Sequence, residues 1–251
     1  MASPYEGLPE EQWLSKTREL IENHPLEIET IRCAALDSWS NLWSTTIGTG
    51  ELSVKLDELD VPATVVGYFF EKLFVKCLET NYPNLWRGGR RKNEKDIVYI
   101  PDNSLSIELK TSGQLGDKIF GNRSYGKSGK NTELEKKDKS GYYITVNFHE
   151  QTITLLRFGW IDQTDWKAQK AETGQAASLS RSVYEKKLIP IEGDYRLDAP
   201  VGILEGVGSK RLEDFAKEGV KTIRDLKNYE GRNSKLLSFQ EKLKEYEFLD
   251  G

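Results

Sequence analysis

Histidine and cysteine are almost absent from this 251-residue chain, which holds only His24, His149, Cys33 and Cys77. Two histidines leave too little material for a zinc finger or a histidine-based metal centre. Two cysteines make a poor disulfide framework, and both fall in apolar helical patterns, so they read as reduced core thiols. No apolar run reaches the ~18 residues of a membrane span, and no signal-peptide pattern is present. The expectation is a cytoplasmic protein that does not engage a membrane. An excess of positive charge is lacking too, since 36 Lys and Arg face 40 Asp and Glu for a net charge of −4.

That balance is uneven along the chain. Residues 85–140 carry thirteen Lys or Arg against eight Asp or Glu, whereas residues 1–84 carry six against fourteen. Association depends on the local field at the binding face, so a basic half is compatible with a nucleic-acid partner despite the acidic total. Hydrophobic content of 37% with 30% charged residues suits a soluble globular protein, long enough for one large domain or two modest ones.

The stretch that carries chemistry runs from Lys95 to Ser112. Two apolar, β-branched runs, Ile97–Ile100 and Leu105–Leu109, flank Pro101-Asp102-Asn103-Ser104, which predicts a β-hairpin. Strands alternate faces, so Glu108 and Lys110 share one face while Ile107 and Leu109 share the other. A carboxylate, an ammonium and an aspartate returning on the adjacent strand suit divalent-metal chemistry on a phosphodiester. The lysine can position or deprotonate the attacking water and stabilise the charge that develops. The string Glu-x-Lys occurs three times, at Glu108–Lys110, Glu135–Lys137 and Glu185–Lys187. Only the first has apolar strand neighbours and an aspartate upstream; the bland alternative is a surface hairpin with charges on its wet face.

Asp96 followed by Glu108-Leu109-Lys110-Thr111-Ser112 resembles the PD-(D/E)xK nuclease superfamily. The string IELKTS, with Ile119-Phe120-Gly121-Asn122-Arg123-Ser124-Tyr125 after it, is similar to type II restriction endonucleases of the ScaI-like group. The close likeness covers about Arg87 to Tyr125. It implies an α/β fold with a restriction-endonuclease-like central mixed sheet flanked by helices. It also implies Mg²⁺-dependent cleavage of double-stranded DNA at a specific site, with Mn²⁺ as a substitute, in a prokaryotic cytoplasm. A homodimer would place its two-fold axis on that of the site, and a cognate methyltransferase would act on the same sequence. Asp96 and Glu108 are the candidate metal ligands and Lys110 the residue that handles the water. By the same resemblance Glu71, on the preceding helix, is a candidate for the metal or a second site, with an exposed helix glutamate as the equal alternative.

The superfamily's Pro-Asp pair exists here as Pro101-Asp102 but falls at the turn. At about 3.3 Å per strand residue, Asp102 would stand roughly 15–20 Å from Glu108, too far to share a cation. Asp96 reaches the same face if it opposes Lys110, which requires an odd-numbered turn (Asp102–Ser104, or Pro101–Leu105) or a bulge.

Before the hairpin, Pro9–Asn23, Leu26–Ser44 and Val61–Asn81 have helical periodicity, the last with an apolar face that includes Val65, Val66, Phe69, Phe70, Phe74 and Leu78. Ile47–Gly50 reads as a loop. Arg87, Arg90, Arg91, Lys92 and Lys95 form a basic approach, and Gly113–Ser140 adds Lys118, Arg123 and Lys127. Arg87, Arg90, Arg91, Lys118, Asn122, Arg123, Ser124, Tyr125 and Lys127 are therefore candidate DNA contacts. Tyr142–Phe148 and Thr152–Phe158 predict a second hairpin across His149-Glu150-Gln151, Trp160–Ser182 is poorly patterned, and Lys187–Ile191 is a short strand. The chain divides at about residue 195 into a nuclease domain (1–195) and a small all-α domain (196–251). In the latter, Ile203 to Leu212 followed by Phe215 to Leu226 looks like a helix-hairpin-helix, with Asn233–Phe248 as a final helix. Its Gly206, Gly208, Ser209 and Lys210 would offer backbone amides and a helix N-terminus to a phosphate. Packing or protein contact is the alternative use of such a turn. Two rival functions stand beside restriction. A structure-specific repair nuclease of the XPF-like type has Glu-Arg-Lys where this chain has Glu108-Leu109-Lys110, and a non-catalytic DNA-binding protein has no need of the intact acids and lysine.

Overall fold

The computed structural model describes residues 2–122, 138–168 and 176–243. Helices α1 (Trp13–Glu22) and α2 (Ile28–Trp43) come first, then a strand pair β1 (Thr46–Ile47) and β2 (Val54–Lys55), then the long helix α3 (Ala63–Asn81). Strands β3 (Trp86–Gly88), β4 (Ile97–Tyr99), β5 (Ile107–Gly113), β6 (Gly121–Asn122), β7 (Gly141–His149), β8 (Thr152–Ile161), β9 (Lys167–Ala168) and β10 (Ala176–Ser178) follow. Helix α4 (Arg181–Lys186) and strand β11 (Leu188–Pro190) close the main body, and α5 (Ser209–Lys217), α6 (Ile223–Lys227) and α7 (Ser234–Leu243) end the described chain. Among the described residues no helix is long and apolar enough to cross a membrane.

Six strands form one mixed sheet in the order β11-β8-β7-β5-β4-β3, in which only β5 and β7 run parallel. The class is α/β, with helices against the sheet. Ile107, Leu109, Ile144, Val146, Phe148, Leu156 and Phe158 belong to one buried cluster with α2 and α3. Tyr143, Ile161 and Leu188 belong to another, with Trp166, Ala177 and Val183 contributed from around the small sheet β6-β10-β9 and α4. Strand β7 is covered on both faces, which is why its residues are buried from Gly141 to Phe148 without alternation.

Helix α3 positions the centre of this sheet. It begins at Pro62, whose carbonyl takes the first helical amides from Val65 and Val66. Val66, Phe70, Phe74 and Leu78 are buried against the core, each contributing roughly 1.5–3 kcal/mol. A Cβ at Gly67 would collide with the Thr111 side chain on β5, so glycine permits the close helix–strand approach. Val65 and Phe69, given by periodicity to the apolar face, are exposed together with Tyr68. The apolar arc of α3 is wider than the stripe the sheet can cover.

Other expectations shift. The chain at Ile47–Gly50 is not a simple loop, because Thr46 and Ile47 pair with Lys55 and Val54. The β7–β8 turn is Glu150-Gln151, with Glu150 at φ 52°, and β8 runs on to Ile161. Cys33 is exposed, its thiol donating to Glu29 Oε1 at 3.2 Å, so it is not a core thiol, whereas Cys77 is partly buried and packs against the main core. Lys187, in the third Glu-x-Lys, is buried between Asp162 (2.8 Å) and Asp165 (2.9 Å) with the Tyr5 and Trp13 rings over its ammonium. That network ties the N-terminal segment to β8 and leaves no open carboxylate face.

The C-terminal residues have their own apolar cluster, from Leu197 through Val201, Phe215 and Leu226 to Leu236 and Leu243. Tyr195 packs in the main core, where its hydroxyl accepts from Leu156 N (3.0 Å) and donates to Ile191 O (2.6 Å). Tyr195 and Leu197, two positions apart, thus belong to separate cores. The first helix expected of the helix-hairpin-helix is a single 3-10 turn, Val201–Ile203. It is confined between Pro200, which bridges Thr222, and the turn that ends at Gly208. The last helix is described only to Leu243.

His24 joins the helical layer to the hairpin. Leu26 N donates to its Nδ1 at 3.1 Å, which leaves Nε2–H to donate to Leu105 O at 3.0 Å. Burial among Tyr142, Phe158 and Trp86 lowers its pKa from 6.5 to about 4. The unfolded chain therefore takes up this proton first as pH falls. The contribution is complete above about pH 6.5 and is lost as pH drops towards 4. Urea unfolding at pH 6.5 and 4.5 is expected to show a loss of about 2 kcal/mol from this group. A His24→Gln variant lacks that increment, and an equal pH loss in both proteins contradicts the assignment.

Candidate functional site

Strand β5 carries Glu108, Lys110 and Ser112 on the face opposite α3. The ladder between β4 and β5 pairs Ile97 with Ile107, and extending it places Asp96 level with Glu108. The expected partner was Lys110; the pairing is displaced by two positions along β5, which preserves the face. The turn explains the displacement. Asn103–Leu105 is a 3-10 turn capped by Asp102, whose Oδ1 accepts from Ser104 N (2.9 Å) and Ser104 Oγ (2.7 Å). Those bonds hold the exposed Asp102 carboxyl below its ordinary pKa. Asp102 is thus used at the turn.

Asp96 stands where the β4–β5 ladder gives out. Its Oδ2 accepts from Leu109 N at 2.9 Å, so a carboxylate satisfies the amide that a longer β4 would have paired. Lys110 Nζ lies 2.6 Å from Glu108 Oε1, 3.9 Å from Asp96 Oδ2 and 3.2 Å from Leu109 O. The Glu108 side chain is 3% exposed, against 18% for Lys110 and 17% for Asp96. A nearly buried carboxylate thus meets a cation at the mouth of the site, which offsets its desolvation.

The donor set fits a hard divalent cation. Asp96, Glu108 and the Leu109 carbonyl offer only oxygen, and Mg²⁺ is bound through one or two carboxylates while keeping several waters. Among the described residues no group of three or more His, Cys, Asp and Glu could hold a metal. Glu71 does not gather with Asp96 and Glu108 into such a group. It pairs instead with Lys72 at 2.6 Å, and the Lys72 pKa is raised first by that bond and in lesser measure by the charge of Asp96. Glu71 and Asp96 thus act on one lysine, which sequence reasoning passed over because Lys72 is just another polar residue on a helix. The Leu109 carbonyl has no sequence signal at all.

The basic residues are arranged unequally. The Arg87 guanidinium is engaged by Glu94 through two bonds of 2.8 and 3.1 Å, which depress the Glu94 pKa to about 2. The same carboxylate takes the backbone amides of Arg90 (2.6 Å) and Arg91 (3.1 Å), leaving both of those side chains exposed on a folded loop. Lys95 is buried, donating to Asp138 O at 2.6 Å, so it is no surface contact. Lys118 is exposed, and Asn122 lies in β6. Arg123, Ser124, Tyr125, Lys127 and the Glu135–Lys137 string lie outside the described residues.

In the C-terminal part Gly206 has φ +84°, a conformation that favours glycine, and Gly208 is the N-cap of α5. Ser209 and Lys210 form the first turn, and Arg211 Nη1 donates to Gly206 O. A cleft of about 920 Å³ opens here between α5 and α7, with Lys210, Lys235 and Lys242 among its lining.

The family model described as ScaI restriction endonuclease matches residues 3–192. The type II restriction enzyme ScaI of Streptomyces caespitosus is 39% identical over 197 residues, covering 75% of this chain and 84% of that enzyme. A solved restriction endonuclease in complex with substrate DNA aligns over 80% of this chain and 96% of its own, at 11% identity and a TM-score of 0.36. The family match takes in the whole sheet and the Asp96, Glu108 and Lys110 cluster, and ends before the C-terminal apolar cluster begins. This chain belongs to the ScaI restriction endonuclease family.

Proposed function

We propose that this chain is a type II site-specific deoxyribonuclease, hydrolysing phosphodiester bonds of double-stranded DNA with Mg²⁺, or Mn²⁺ in its place. The observation that carries the reading is the convergence of Asp96, Glu108 and Lys110 at one end of β5, with the ammonium 2.6 Å from one carboxylate and 3.9 Å from the other. Asp96, Glu108 and the Leu109 carbonyl would hold the cation. When bound, it polarises the scissile phosphate and lowers the pKa of a coordinated water. Lys110 would orient the attacking water and offset the charge developing on the phosphate. Glu71, paired with Lys72 at 2.6 Å, remains the candidate for the metal or a second site. Residues 1–195 are the nuclease domain.

The domain at 196–251 grips duplex DNA through amides at Gly206–Lys210, aided by the α5 dipole, and Lys235 and Lys242 extend the contact across the cleft. The exposed Arg90, Arg91 and Lys118 add phosphate contacts beside the metal site, Asn122 lies on the same path, and Arg87 braces the loop through Glu94. Two copies bind one site as a homodimer, and a methyltransferase protects the same sequence in the host.

Cleavage of supercoiled and linear plasmid in Mg²⁺, compared with EDTA, tests the reading; discrete fragments from linear duplex support it, and cutting only at forks or flaps supports a repair nuclease. Glu108→Ala, Lys110→Ala and Asp96→Asn are each expected to slow cleavage by roughly 10²–10⁴-fold while DNA is still bound. Asp102→Asn should cut at nearly the wild-type rate. If Asp102→Asn is inactive and Asp96→Asn is not, the metal site is wrongly placed.

The C-terminal contacts are tested by binding. Gly206→Val with Gly208→Val is expected to weaken all duplexes equally, because phosphates carry no sequence information. Affinity should also fall steeply with salt as counterions are released. Altered cutting specificity at unchanged affinity would instead make this part a reader of bases.

A further inference from the structure

Strand β8 carries a buried arginine on the same sheet face as the metal site. Lys110 on β5 pairs with Thr145 on β7, and Thr145 pairs with Arg157 on β8. Arg157 therefore lies two strands, or about 10 Å, from Lys110. Its side chain is 4% exposed, and although burial lowers its pKa to about 10 it stays cationic at neutral pH.

A buried cation so costly to desolvate needs partners, and here these are the Asn147 side chain and Asp117, which offers its carbonyl and, at 3.8 Å, its carboxylate. Arg157 donates from Nη2 to Asp117 O (3.0 Å) and from Nη1 to Asn147 Oδ1 (3.0 Å). Asn147 Nδ2 donates in turn to Lys118 O at 2.9 Å. The Tyr184 ring lies under the guanidinium at 5.1 Å, and its hydroxyl takes Ile119 N (2.9 Å) and donates to Ile119 O (3.2 Å). Three successive carbonyls, those of Asp117, Lys118 and Ile119, are thus held by side chains and not by a strand. The grip leaves the side chains of Asp117 and Lys118 exposed, while Ile119 anchors in the buried cluster below.

We propose that Arg157, Asn147 and Tyr184 are positioning residues for specificity: they fix the chain between β5 and β6 so that its outward groups meet duplex DNA at a set offset from the metal site. The inference rests on the nuclease reading above. The three residues touch neither the scissile phosphate nor the cation; they act through the backbone of residues 117–119. A segment held this way couples correct DNA contact to the geometry of cleavage, because it leaves β5 only a few residues after Lys110.

The test uses the full chain. Sequencing the ends of plasmid cut by the wild type identifies its site. The kcat/KM for a duplex carrying that site is then divided by the kcat/KM for duplexes with single base-pair changes. Arg157→Lys keeps the charge and loses the fork, and Tyr184→Phe keeps the ring and loses the hydroxyl. Each is expected to lower that ratio by about tenfold or more, the worth of one well-placed base contact. A purely structural role reduces the fraction of active molecules and leaves the ratio unchanged, since the folded remainder discriminates as before. Discrete cutting by the wild type with unchanged ratios in both variants overturns this inference alone. Absence of discrete cutting by the wild type overturns the functional reading and this inference with it.

Discussion

Strand β5 has to be oil on one face and ions on the other. Ile107 and Leu109 are buried beneath α3, while Glu108, although almost inaccessible, keeps a charge partner in Lys110. A carboxylate so buried is tolerable only when an opposite charge and hydrogen bonds replace water. The parallel pairing with β7 holds β5 in register over its full length, from Ile107 with Tyr142 to Gly113 with Phe148. The glycine at 67 lets the helix lie close enough to keep the strand in place. Site and core are therefore two sides of one strand, and neither can move without the other.

Where the sheet's own hydrogen bonding stops, side chains take over. Asp96 accepts the Leu109 amide, Glu94 gathers the amides of Arg90 and Arg91, and Arg157, Asn147 and Tyr184 hold residues 117–119. Backbone groups must be paired somewhere, and pairing them with charged or amide side chains gives irregular segments the definition of a strand. The functional groups can then sit on loops without the looseness of loops.

Much of this architecture is visible in the residue order. Alternation in Ile107–Leu109 and Tyr142–Phe148, helical spacing in α1 to α3, and turn chemistry at Pro101–Ser104 and Gly206–Gly208 all act between near neighbours in the chain. The candidate hairpin among three Glu-x-Lys strings stands out for the same reason, since only it combines strand alternation with an upstream aspartate. Other features were hidden. Cys33 shares helical spacing with core residues, but nothing local says that α2 turns that position to solvent. Val65 and Phe69 obey the apolar period of α3 and yet lie outside the stripe that the sheet covers. Lys187 gives no local sign of the partners that enclose it, Asp162 and Asp165.

Sequence by itself determined the period of each element, the identity of the acids and lysine at the hairpin, and the face on which Glu108 and Lys110 stand, because backbone geometry repeats every two or 3.6 residues whatever surrounds it. Only the tertiary structure decided which charges meet. The level of Asp96 against Glu108 depends on how the Asp102 cap shapes the turn. The engagement of Arg87 depends on the fold of its loop, and the capture of residues 117–119 by Arg157 joins positions 40 apart in the chain. Contacts of that kind follow from chain closure and from the demand that every buried charge find a partner, and no local period encodes either.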